Sequence, residues 1–202
     1  MNSAVARVEE VKVYLRESAE VKARVAAECA EAILAAAEMI VRAFRAGGKV
    51  MLCGNGGSAA DCQHMAAEFV SRFSAGLQRP GLPAIALTTD SSFLTAFAND
   101  CGYDGVFERQ VQALGRPGDV LIGISTSGNS VNVLRAVGAA RDAGMDTIGL
   151  TGEGGQLAGL VDVGIVVSSK DTQHVQEAHL AIEHLICWFV EQDLFGPGAA
   201  RA

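Results

Sequence analysis

No apolar run in this 202-residue chain reaches the roughly 20 residues needed to cross a bilayer, which excludes a membrane-spanning helix. Cysteine is sparse as well. Cys29, Cys53, Cys62, Cys101 and Cys187 are odd in number and scattered, and no C-x-x-C occurs; neither a disulfide framework nor a thiolate zinc site is expected, and the thiols read as reduced core residues. There is no basic cluster, and the net charge is −7, which argues against nucleic acid as a partner. The G-x-x-x-x-G-K-[ST] pattern is missing, so nucleoside triphosphates are a poor fit. The opening residues, M-N-S-A-V-A-R-V-E-E, are too acidic for a signal peptide, so the expected location is the cytoplasm.

What is there is a single-domain pattern over 1–202, with half of the residues apolar and no internal repeat or linker. Residues 4–46 carry helical periodicity, read as two helices meeting near Ser18 to Val21; in the second, Val25, Cys29, Ile33, Ala36, Ile40 and Phe44 recur every three or four positions. A helix pair ahead of the first strand is more than a minimal α/β sheet requires, so residues 1–46 are expected to pack against another subunit. From Lys49 the rhythm changes to short apolar runs: Val50–Cys53, Ala84–Leu87, Val120–Ile124, Thr147–Leu150 and Val163–Val167. Such runs alternating with helices imply an α/β fold, a five-stranded parallel sheet sandwiched by helices over 47–195, with ligands at the carboxyl ends of the strands. The tail at 196–202, G-P-G-A-A-R-A, is expected to fray.

The run Val120–Ile124 opens into Ser125, Thr126, Ser127, Gly128, Asn129 and Ser130, and a helical pattern follows, with Ser130 at the N-cap position. Hydroxyls and backbone N–H groups converge there at a helix N-terminus, and without a Lys or Arg the cradle suits a phosphate monoester. The first strand likewise ends in Gly54-Asn55-Gly56-Gly57-Ser58-Ala59. This satisfies the loose dinucleotide pattern G-x-G-x-x-[GA], but the acidic residue expected about 20 positions on, at the end of the second strand, is missing. Two glycine and hydroxyl loops fit one sugar phosphate held from two sides.

The helix expected from Ser58 carries Asp61, His64, Glu68 and Arg72, successive members of one face. His64 and Glu68, at i and i+4, can point at one centre, either a metal or a reacting carbon. In the last helix, Thr172–Phe195, Gln176 and His184 lie roughly 80° apart while His179 and His184 lie roughly 140° apart. Gln176 and His184 therefore share a partly buried face with Leu180, Glu183 and Cys187, and His174 and His179 are expected at the surface or an interface.

The stretches G-N-G-G-S-A-A-D at 54–61, H-M-A-A-E-F at 64–69, R-P-G-L-P at 79–83, G-D-V-L-I-G-I-S-T-S-G-N-S at 118–130 and V-Q-E-A-H-L-A-I-E-H at 175–184 together resemble the phosphoheptose isomerases of the sugar isomerase (SIS) superfamily. The resemblance implies the SIS fold in a homotetramer with active sites between subunits, which would employ the N-terminal helices. It also implies conversion of sedoheptulose 7-phosphate to D-glycero-D-manno-heptose 7-phosphate. By that resemblance Asn55, Gly56, Gly57, Ser58, Ser125, Thr126, Ser127 and Ser130 contact the sugar phosphate, with Arg72, Asp100 and Gln176 as further substrate contacts. It makes His64, Glu68, Gln176 and His184 the ligands of one Zn2+ per subunit, and Glu68 and His184 the acid–base pair. At Thr172-Gln173-His174 another branch of the family has an Asp-Arg pair, a departure that takes the contact at 173 out of the expected set. A related non-enzymatic SIS protein binds the replication initiator DnaA, and its positions matching Glu68 and His184 are generally not Glu and His; both are present here. A phosphosugar-sensing module would need a partner domain, and none fits in this chain.

Overall fold

The computed structural model describes residues 3–199. The expected strand runs form β1 (Val50–Gly54), β2 (Ala84–Ala86), β3 (Val120–Ser125), β4 (Asp146–Gly152) and β5 (Val163–Val167), all parallel in the order β2-β1-β3-β4-β5. Side chains alternate across a strand, and both faces of this sheet are covered. Val50, Leu52, Ile122, Ile148 and Ile165 point to one core layer, whereas Met51, Cys53 and Leu121 point to the other.

The first layer is built by α1 (Ser3–Glu28), α2 (Ala30–Arg45), α3 (Gly57–Val70) and the long α8 (Thr172–Phe195). The second is built by α5 (Val106–Leu114), α6 (Val131–Asp142) and the short α7 (Leu157–Leu160), with α4 (Ser91–Cys101) alongside. Strand order reverses on either side of β1 and β3, so the β1–α3 and β3–α6 loops face each other at the carboxyl edge. That is the crevice in which open parallel sheets bind ligands.

Two expectations about helix ends need correction. The N-terminal helices do not meet near Ser18 to Val21; the break falls at Cys29, and helical hydrogen bonding runs through it, from Cys29 N–H to Val25 O and from Ile33 N–H to Cys29 O, both 2.9 Å. Ser18 does not interrupt the helix because its hydroxyl is used laterally, donating to Glu177 of α8. Nor does α3 reach Arg72: it stops at Val70, and Arg72 is exposed in the turn beyond, off the face shared by Asp61, His64 and Glu68. At the other end of the chain, residues 196–199 form a turn in which Ala199 N–H donates to Gly196 O at 3.0 Å. The remainder of the tail, 200–202, lies outside the described residues.

Candidate active site

The β3–α6 loop has the expected form with one changed role. Ser130 occupies the N-cap position of α6, but its hydroxyl caps nothing and instead meets Ser125 Oγ at 2.9 Å. Ser127 Oγ lies 3.4 Å from Ser125 Oγ and accepts from Asn129 N–H at 3.2 Å. Three hydroxyls are thereby gathered over a helix N-terminus instead of being spent on the helix itself. Gly128, with φ +65°, turns the chain, and a Cβ there would strike Thr151 Oγ1 at 2.7 Å, so only glycine fits.

The facing β1–α3 loop is tied to this one. Asn55 Nδ2 donates to Asn132 Oδ1 at 2.9 Å, and Asn132 Nδ2 returns a bond to Asn55 Oδ1 at 2.8 Å. This reciprocal pair braces the two loops at a fixed separation. Asn55 was expected as a ligand contact; its side chain serves first as the brace, and the buried Asn132 is its partner. Asn132 was missed because an Asn in the first turn of a helix reads as ordinary capping chemistry. Gly56 (φ +57°) starts α3, and Ser58 is buried in its first turn.

On α3 and α8 the expected polar residues converge. His64 Nε2 lies 2.9 Å from His184 Nε2 and 3.7 Å from Glu68 Oε1, and the Phe73 ring packs 5.8 Å from that of His184. Gln176, on the same helix as His184, lies against the start of α3: a Cβ on Gly57 would sit 1.6 Å from its Nε2, so the amide occupies the space that the absent side chain leaves. Beside it opens a cavity of about 450 Å³ lined by Tyr14, Gly57, Asp61, Gln173, Gln176 and Glu177, among others. Gln173 thus borders the site, although no contact was expected from that position. Asp100 is not drawn in; it is exposed on α4 and accepts from Asn99 Nδ2 at 2.8 Å.

His174 and His179 are corrected outright. Both are buried, His179 completely, and neither lies at the surface. Helical angle separates them from His184 but cannot tell a solvent-facing sector from one pressed against the sheet, and α8 is buried on more than one side. Burial pushes the His179 imidazole down to about 4, keeping it neutral. Burial likewise pushes the Glu183 carboxyl up to about 9, with the nearby Asp61 carboxylate adding to the effect. Asp61 itself is raised to about 6 by burial, offset in part by His64.

The donor set fits zinc in kind, since imidazole nitrogens, a carboxylate and an amide oxygen are all oxygen or nitrogen ligands. Among the described residues, however, no group of three or more His, Cys, Asp or Glu side chains stands in ready-made metal geometry. The two imidazoles instead hydrogen-bond directly to each other, Nε2 to Nε2 at 2.9 Å.

Comparison with known proteins now decides the family. Residues 13–152 match the model of the SIS domain. A phosphoheptose isomerase from Roseiflexus sp. (strain RS-1) is 56% identical over 182 residues, covering 90% of this chain and 91% of the relative. One from Rhodospirillum rubrum is 50% identical and covers 92% of this chain and 98% of the relative. The chain belongs to the phosphoheptose isomerase family. The solved phosphoheptose isomerase of Neisseria gonorrhoeae superposes with a TM-score of 0.86 at 44% identity, covering 91% of this chain and 98% of that one. That of Francisella tularensis gives 0.88 at 38% identity, covering 95% and 100%. The sugar isomerase domain of an RpiR transcription factor from Sphaerobacter thermophilus, 23% identical with a TM-score of 0.64, shares the fold alone. Membership in this isomerase family does not favour the initiator-binding alternative.

Proposed function

We propose that the protein interconverts sedoheptulose 7-phosphate and D-glycero-D-manno-heptose 7-phosphate, the entry reaction of activated heptose synthesis. The observation that carries this reading is that Glu68 Oε1 and His184 Nε2, from helices far apart in the sequence, both lie within 3.7 Å of His64 Nε2. Moving a carbonyl from C2 to C1 requires one proton to leave C1 and one to arrive at C2 through an enediol(ate). Glu68 and His184 are two proton-transfer groups held at one centre for that exchange. Ser125, Thr126, Ser127 and Ser130, with Gly56, Gly57 and Ser58 opposite, anchor the phosphate by hydrogen bonds and the N-termini of α3 and α6. Anchoring the phosphate end fixes which carbons reach the carboxylate and the imidazole.

His64, Glu68, Gln176 and His184 would hold a zinc ion, which when bound supplies Lewis acidity toward the sugar oxygens. Arg72 and Asp100, exposed and uncommitted to the cluster, are assigned to substrate contact in the assembled protein. The assembly is a homotetramer. An apolar groove of about 400 Å³ between α1, α2 and α8, lined by Val25, Ile33, Leu34, Ile182, Leu185 and Phe189 among others, is the face it would cover. No described helix is long and apolar enough to cross a membrane. We assign the reaction to the cytoplasm because a phosphorylated sugar does not cross a bilayer unaided.

The test is incubation of the pure protein with sedoheptulose 7-phosphate, with and without a chelator, followed by product analysis. Formation of the aldose phosphate is expected. No conversion under either condition, in metal-supplemented protein as well, would overturn the assignment, and loss of turnover on chelation with recovery on adding Zn2+ is the expected metal result.

A further inference from the structure

Beneath the acid–base pair lies a buried ion pair with no role in the chemistry described so far. Arg79 and Glu191 are each 1% exposed at the side chain, with Arg79 Nε 2.7 Å from Glu191 Oε1. Each partner reaches a different part of the site. Arg79 Nη2 donates to Glu68 O at 2.7 Å and Nη1 to Phe69 O at 2.8 Å. These carbonyls are in the last turn of α3, which leaves its final carbonyls without helical partners, so the guanidinium closes the helix end that carries Glu68. Glu191 sits on α8 two turns beyond His184, on the same face. Its Oε1 accepts from Phe73 N–H at 3.0 Å and its Oε2 from Ser74 N–H at 2.8 Å. That grip holds the segment whose Phe73 ring abuts the His184 imidazole. Although burial opposes ionisation, the donors from Ser74, Arg79 and Phe73 outweigh it and hold the Glu191 carboxyl below its ordinary value.

We propose that Arg79 and Glu191 are positioning residues, a buried clamp that fixes Glu68 on α3 against His184 on α8. This rests on the reading of Glu68 and His184 as the proton-transfer pair. Lysine cannot replace arginine here, because the guanidinium presents donors in a planar fork that reaches Glu191 and the carbonyls of Glu68, Phe69 and Pro80 at once, and an ammonium is a point charge on a flexible stem. The phosphate cradle is built from the β1–α3 and β3–α6 loops and makes no hydrogen bond to the clamp. Substrate affinity should therefore survive when alignment of the proton-transfer groups is lost.

The experiment compares the parent with Arg79→Lys and Glu191→Gln, assaying sedoheptulose 7-phosphate turnover at a temperature where circular dichroism shows each protein folded. In both variants kcat is expected to fall at least tenfold while KM stays within threefold, and Kd for the non-isomerisable alditol phosphate is expected to match the parent. A role confined to stability would lower the melting temperature and leave kcat per folded molecule unchanged. The clamp is overturned if kcat per folded molecule stays within threefold of the parent, if KM rises in step with the loss of kcat, or if neither variant folds at any temperature assayed. Inactivity of the parent itself would instead count against the isomerase assignment, so the two failures are distinct.

Discussion

His64 and His184, 120 positions apart in the chain, meet Nε2 to Nε2 at 2.9 Å. One nitrogen must donate and the other accept, so the two rings share one hydrogen and their tautomers are linked. Glu68, 3.7 Å from the same His64 nitrogen, completes a centre in which a proton has several neighbouring acceptors. Under the proposed isomerisation, a sugar carbon brought to this point would meet two groups able to exchange a proton with it.

Glu68→Gln and His184→Ala should each lower kcat by about 10²–10⁴-fold, the range for removing a positioned acid or base. The melting temperature should change little, because Glu68 is 23% exposed at the side chain and His184 is half-buried. Steady-state kinetics and thermal melts on the two variants check this. Turnover near the parent rate in both would rule out the proton-transfer assignment.

How much of this was legible beforehand differs by element. The strands announced themselves because a sheet covered on both faces turns each strand into a continuous apolar run, and Val163–Val167 is observed with the expected bounds. The i,i+4 pair of His64 and Glu68 was legible because helical spacing alone puts it on one face. His179 was misjudged for the converse reason: spacing orders side chains around an axis and says nothing about what stands opposite. The Arg79–Glu191 clamp and the Asn55–Asn132 brace join positions far apart in the chain, and only tertiary packing pairs them. Arg72 was misplaced because nothing in H-M-A-A-E-F-V-S-R marks Val70 as a helix end; the turn that follows is imposed by the docking of Leu82 N–H on Phe69 O.

Gly57→Ala tests the space that Gln176 fills. A Cβ at 1.6 Å from Gln176 Nε2 must drive the amide aside, and since that amide is the far end of a flexible side chain the fold should tolerate the change. Misplacing a positioning group by about an ångström can cost up to roughly 10²-fold in rate. The expected outcome is a fall in kcat/KM toward that size with a nearly unchanged melting temperature, read by kinetics beside a thermal melt. Parental activity in the alanine variant would show that Gln176 need not occupy this place.

Glu183 should make the fold weaken in alkali. Its carboxyl rises from an ordinary 4.5 to about 9 when buried, so between those values the folded state holds a proton that the unfolded state has released. Stability then falls as pH rises, at up to about 1.4 kcal/mol per pH unit for one group. His179, lowered to about 4, acts in the opposite sense: below pH 6.5 the unfolded chain takes up a proton that the folded one refuses. The two effects offset each other between pH 4.5 and 6.5, leaving the Glu183 slope exposed above that range. Denaturant titrations from pH 6.5 to 9 should show declining stability in the parent and a flatter profile in Glu183→Gln. An equally steep decline in the variant would assign the slope to other groups.

The N-terminal helices make the last prediction. On α1, Val8, Val11 and Leu15 form a stripe in which each is at least 55% exposed, and Leu34 of α2 with Leu185 and Trp188 of α8 are each more than 40% exposed. Apolar residues grouped in this way beside a groove mark an interaction surface more often than an isolated exposed leucine does, and burying each leucine would contribute about 1.5–3 kcal/mol. Helices α1 and α2 also complete the core layer beneath β5 and α8, so a disruptive change must be made on their outer face to leave the subunit folded. The double variant Leu34→Asp/Leu185→Asp meets that condition. Light scattering is expected to give four subunits for the parent and a smaller species for the variant, with the circular dichroism spectrum retained. A monomeric parent at micromolar concentration would show that the groove is not covered by a second copy of the chain.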